Sequence, residues 1–299
     1  MKRVKTFLFL VFILLLQNCS FDNKSNIWKN KNTIEEKDKD LFENFESLQS
    51  INKSYNEIKK LENNIILKLD NIDESDNWSD IFYSDSNNFN NFKYRELNQI
   101  KFKGKKLSKN KLDNNILYEN DYIVTTDQKG NIFQYSIAEN KVINKFSFYK
   151  KKYKKIKKNL NLIIEKNIVY VADNIGYLYA IDLTNNKYLW AKNYKIPFRS
   201  NIKVFDDKLI TSNQDNILYF FNKKNGEILK SIPTEESLVK NQFKNNISLN
   251  KESIFFINTY GSIYSINKKN MRIKWFINLN QSLELNASNL FSGTEIVNY

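Results

Sequence analysis

The chain has 299 residues, enough for one large domain or two small ones. It contains no His, which excludes Ser-His-Asp and Cys-His catalysis and every His-based metal site, and its single Cys excludes an intramolecular disulfide. The formal charge of +14 comes from 47 Lys+Arg against 33 Asp+Glu, but Lys is spread along the whole chain and accompanies no recognition motif, so nucleic acid is not the expected partner.

Residues 1–18 read as a signal peptide. A short basic head, Met1 to Lys5, is followed by an unbroken apolar run, Phe7 to Leu16. Ten residues fall well short of the roughly 20 that a spanning helix needs, while their length and basic flank suit an h-region. The run ends in Leu16-Gln17-Asn18-Cys19, which resembles a lipobox, although Asn18 stands where Gly or Ala is usual. The resemblance implies cleavage before Cys19 and lipidation of its sulfur, an anchor strengthened by about 0.8 kcal/mol per buried CH₂. Ser20 follows the Cys, and not Asp; in enteric-type sorting that implies the outer membrane, with the body facing the periplasm. The other readings are an ordinary signal peptide with a chance Cys, or a short anchor.

Residues 19–75 read as a tether. Polar runs such as Asn23 to Asn26 and Glu35 to Asp40 bury little. Within it Leu41, Phe45, Leu48, Ile51, Tyr55, Ile58 and Leu61 recur at gaps of three or four, so an amphipathic helix is expected over 41–61, either on the surface or folded against a partner.

Residues 76–299 are dominated by repeats. Four segments align: Tyr122 to Phe146, Ile168 to Trp190, Leu209 to Lys230 and Ile254 to Trp275. Their equivalent turn positions, Gly130, Gly176, Asn216 and Gly261, are spaced 46, 40 and 45 residues apart, a period typical of propeller blades. Each repeat has an alternating apolar strand and a turn that opens on Asp, Asn or Gln and closes on a residue tolerant of positive φ. A second strand, a second turn (Asn185-Asn186, Lys224-Asn225-Gly226, Lys269-Asn270) and a third strand follow. Small sheets bury too little alone and must stack, and radial stacking leaves only short, protected edges. The fold class is therefore all-β: a β-propeller of four-stranded antiparallel blades, about four of them present.

Gly176 to Trp190, GYLYAIDLTNNKYLW, is similar to the repeat of pyrroloquinoline-quinone-like (PQQ-like) propellers, with Phe146 and Lys230 replacing the Trp in two other repeats. Trp78 looks like the early Trp that opens many such propellers, and its strand is expected to pair with the last blade and close the ring. Lipobox and repeats together resemble the BamB family, propeller lipoproteins of the outer-membrane β-barrel assembly machine. Members have eight blades, so the resemblance implies about half a ring here. Phe291 to Tyr299 reads as the start of a fifth blade, broken off inside an outer strand; a closed four-bladed ring is the alternative.

The resemblance implies a scaffold and not an enzyme: a lipid-anchored periplasmic protein that contacts the periplasmic domains of a BamA-like barrel insertase and assists insertion of outer-membrane proteins. Partner contacts would come from Phe198 and Arg199, after the Trp of the second repeat, and from Glu235 and Glu236 in the next interblade loop; ordinary interblade packing is the plainer reading. The alternative function is a PQQ-dependent quinoprotein oxidoreductase or its non-catalytic relative, which would hold quinone and Ca²⁺ centrally. No Asp/Asn/Glu set has Ca²⁺-loop spacing and adjacent cysteines are absent, so no cofactor or metal is expected. A glycan-binding surface propeller is a third reading. Lys150 to Lys158 concentrates charge between the first two repeats. It reads as a Lys-rich loop or aggregation-blocking edge, or as a stretch drawn to anionic lipid.

Overall fold

The computed structural model describes residues 19–21, 28–30, 77–89, 106–236, 243–278 and 295–298. The chain divides into two compact units, 1–67 and 68–299. In the first, β1 (Cys19–Phe21) pairs antiparallel with β2 (Trp28–Asn30) within the stretch expected to be a tether. The signal peptide and the 41–61 helix lie outside the described residues.

The second unit contains four antiparallel sheets of four strands, each built from consecutive strands. Blade one is β3 (Leu112–Glu119), β4 (Tyr122–Asp127), β5 (Asn131–Ser136) and β6 (Lys141–Ser147). Blade two is β7 (Leu160–Glu165), β8 (Ile168–Asp173), β9 (Tyr177–Asp182) and β10 (Lys187–Asn193). Blade three is β11 (Lys203–Phe205), β12 (Lys208–Ser212), β13 (Leu218–Asn222) and β14 (Ile228–Ile232). Blade four is β15 (Asn246–Leu249), β16 (Ser253–Ile257), β17 (Ser262–Asn267) and β18 (Ile273–Asn278). The first strand of each blade touches the first strand of the next, β3 to β7 to β11 to β15, so these strands are innermost. The fourth strands are mostly exposed. This is the propeller architecture.

The blades stack through three cores, and strand alternation decides which residue enters which. Val169 and Val171 of β8 join Leu117, Val124 and Ile132 in the core between blades one and two. Tyr170 and Ala172 of the same strand face Leu209 and Phe221 between blades two and three. Phe205, Phe220, Ile254 and Phe256 fill the core between blades three and four. Both faces of β8 are therefore apolar, the pattern of a strand covered on both sides.

The turn between second and third strands is the same in every blade. Asp127, Asp173, Asn213 and Asn258 each turn Oδ1 back onto the chain, accepting amides two and four residues ahead at 2.8–3.1 Å. The turn closes at Gly130, Gly176, Asn216 and Gly261, all with positive φ. At Gly176 (φ 101°) a Cβ would also lie 2.9 Å from the Ile196 amide nitrogen, so the interblade loop closes over a bare backbone.

Two expectations are corrected. Trp78 does not pair with the last blade: its amide and carbonyl exchange hydrogen bonds with Tyr118 of β3, the innermost strand of blade one (2.7 and 2.8 Å). Residues 295–298 form no outer strand. The Ile296 amide donates to Asn246 Oδ1 and Asn298 Nδ2 to Ser248 Oγ, both 2.9 Å, which places this stretch beside β15, the inner strand of blade four.

Candidate functional site

Two places in the propeller bear on function: its axis, and the end of the blades that carries the Asx turns.

The axis is crossed by residues 77–89, which bond to the inner strand of every blade. After Trp78 on β3, the Ser79 carbonyl accepts the Ile164 amide of β7 at 2.9 Å. Asp80 Oδ2 and the Ser84 carbonyl both accept Lys203 Nζ of β11 at 2.7 Å. The Asp85 carbonyl accepts the Leu249 amide of β15 at 2.8 Å, and Asn87 Nδ2 donates to Asn246 Oδ1 and the Ile247 carbonyl. The Asp80–Lys203 pair is almost fully enclosed, at 3% and 0% side-chain exposure. Burial pushes the Asp80 carboxyl up and the Lys203 ammonium down, and their mutual attraction only partly reverses either shift.

Chain direction places the four Asx turns and the three interblade loops at one end of the blades. Phe198, Arg199, Glu235 and Glu236 all lie at this end, in the loops before and after blade three. The Asn213–Asn216 turn stands between them: the Arg199 amide donates to the Ser212 carbonyl at 2.9 Å, and Asn216 Nδ2 donates to the Glu235 carbonyl at 3.0 Å. Phe198 is not a surface contact residue. A backbone bridge to Asn213 turns it inward, 2% exposed, against Tyr194 and Phe221. Arg199 is half-buried; burial depresses its guanidinium, and its Nε meets no acceptor among the described residues. Both Glu235 carboxylate oxygens are occupied across the blade boundary, by Ser262 Oγ (2.8 Å) and Asn258 Nδ2 (2.5 Å). Glu236 is exposed.

Lys150 to Lys158 is the loop between blades one and two at the same end, with a single 3-10 turn at Lys151–Tyr153. Its fixed side is Lys158, 3% exposed, whose Nζ donates to the Tyr153 carbonyl and lies 5.2 Å from the Tyr149 ring centre. Tyr153 packs edge-on against Tyr149 and Tyr177, and the Tyr149 hydroxyl donates to the buried Asp173 at 2.5 Å. Burial, and then nearby Lys129, push the Lys158 ammonium down. Lys150, Lys151, Lys152, Lys154, Lys155 and Lys157 all point to solvent. Sequence reasoning found this stretch through its composition, whereas Asp80, Lys203 and Asn87 carried no periodic signal.

No protein-family model matches this chain, and no curated protein sequence does. Among solved structures, BamB from Moraxella catarrhalis aligns with a TM-score of 0.46 and 12% identity over 55% of this chain and 48% of that one. Sqt1 from Saccharomyces cerevisiae gives 0.44 and 15%, over 56% and 47%. The computationally designed Ika4 gives 0.43 and 10%, over 55% and 99%. The chain thus spans about half the length of the two natural proteins.

Proposed function

We propose that this chain is a lipid-anchored periplasmic scaffold of the outer-membrane β-barrel assembly machinery, held in the outer membrane by lipid on Cys19. It would assist insertion of outer-membrane proteins through contacts with the periplasmic domains of a BamA-like insertase. The observation that carries the reading is the composition of one blade end. Arg199 and Glu236 lie in successive interblade loops, on either side of a rigid Asx turn. One is a half-buried cation, and the other is an exposed carboxylate. Interfaces draw most of their affinity from a few residues of this kind, and Arg is prominent among them. Glu235 holds the second loop in place through Ser262 and Asn258.

Co-purification from detergent extracts tests the reading. The unaltered chain is expected to bring down barrel-assembly subunits. Arg199→Ala and Glu236→Lys are expected to weaken recovery at least tenfold while leaving the melting temperature within about 2 °C. Recovery of no such subunit by the unaltered, lipidated chain would overturn the assignment.

A further inference from the structure

The blade end that carries Arg199 and Glu236 also presents a second, chemically different surface. A cavity of about 180 Å³ opens beside the loop between blades one and two, lined by Lys111, Lys129, Lys155 and Lys157 with Asn110 and Gln128. None of these four lysines has an ion-pair partner among the described residues. Of the nearby carboxylates, Asp127 and Asp173 are turned inward, and Asp113 lines a neighbouring hollow with Lys111 and Lys157. Asp127 is occupied by Ser108, Asn110 and Asn131, and Asp173 by Tyr149 and three backbone amides. Four cations around one small hollow, with amide side chains and no carboxylate in its lining, form a recess for a phosphate oxyanion.

What the lysines surround points to the source of that phosphate. Ile156, between Lys155 and Lys157, lines the same cavity and is 44% exposed. The loop is no floppy tail: the buried Lys158 and the edge-to-face rings of Tyr149, Tyr153 and Tyr177 hold it on the propeller with its remaining lysines outward. An apolar tip ringed by cations on a rigid base matches the layering of a charged bilayer, with headgroup phosphates outside and the acyl boundary beneath. Nucleic acid has no use for the exposed isoleucine.

We propose that this basic end of blades one and two docks on an anionic lipid surface, with Lys111, Lys129, Lys155 and Lys157 receiving a headgroup phosphate and Ile156 entering the acyl boundary. This docking is independent of any lipid on Cys19 and requires no partner protein.

The test uses the full chain as Cys19→Ser/Ile156→Cys carrying an environment-sensitive fluorophore, so that the signal reports the loop and not the apolar N-terminus. Vesicles of phosphatidylcholine with about 30% phosphatidylglycerol are expected to shift the emission to the blue and to allow quenching by doxyl-labelled acyl chains, as a polybasic surface drawn to anionic headgroups should. Pure phosphatidylcholine is expected to do neither. Adding Lys155→Glu/Lys157→Glu should raise the lipid concentration needed by roughly tenfold or more. Adding Lys224→Glu/Lys269→Glu, the same charge change at exposed lysines on the opposite blade end, should leave it unchanged. Equal losses from the two pairs would mean that bulk charge alone is responsible, and would overturn the proposal. So would a response to soluble glycerol phosphate, or to a single-stranded oligonucleotide, with none to the vesicles.

Discussion

At the scale of single residues, the buried ion pair makes the sharpest prediction. Removing one partner strands a charge in the interior, so Lys203→Met is expected to cost about 3–5 kcal/mol in urea unfolding. Asp80→Asn/Lys203→Met retains the Oδ1 acceptor that the Phe82 amide uses at 2.8 Å and should recover most of that loss. A second prediction compares equivalent turn positions. Burial raises the Asp173 carboxyl, and the hydrogen bonds from Tyr149 and the turn amides do not fully bring it back. At Asp127 burial is outweighed by Asn131, Asn110 and Ser108, and the carboxyl falls below its ordinary value. A raised carboxyl stabilises the fold at low pH and loses that contribution as pH climbs through its folded value. A depressed one contributes above the ordinary range and loses its effect as pH falls. Thermal melts between pH 3 and 8 should therefore show Asp173→Asn gaining on the unaltered chain as pH rises, and Asp127→Asn losing. Asn213 and Asn258, at the same position in the other blades, show that the amide fits. The turns were readable because their donors and acceptors lie within four residues of one another. Phe198 was misplaced because its inward direction is set by Asn213 across a loop, which no local pattern encodes.

At the scale of elements, neighbouring blades are locked by an aromatic ring on a bare turn. Trp190 of β10 donates Nε1 to the Lys223 carbonyl at 3.0 Å, and a Cβ on Gly226 (φ 72°) would sit 2.5 Å from its ring. Gly226→Ala is expected to destabilise by roughly 1–3 kcal/mol, from both the positive φ and the crowding. Double-mutant cycles with Trp190→Leu should show a smaller Gly226 penalty once the ring is gone. Trp275 occupies the matching place in blade four and is 43% exposed. Second to fourth strands were legible in the sequence because alternation and turn residues recur in register. The innermost strands were harder: Lys203 and Asn246 interrupt their apolar runs, since these side chains answer to the segment on the axis and not to a neighbouring blade.

At the scale of the whole molecule, residues 77–89 tie all four blades through backbone bonds and two side chains. Replacing Trp78 and Asn87 together with Ala should speed amide exchange at Ile164 and Leu249, and along the inner strands of all four blades, and not only where the two residues stand. Uniform protection in hydrogen-exchange mass spectrometry would show that the blades hold without this segment. The segment also fixes a time order. Asp80 meets Lys203 across 123 residues, and Asn87 reaches Asn246 across 159 and Ile296 across 209. Chain made early must wait for chain made late, and closure over such separations is slow. Until blade four emerges, a nascent chain holds Asn87 and sticky sheet edges without their mates, the state in which helper proteins capture clients or aggregates begin.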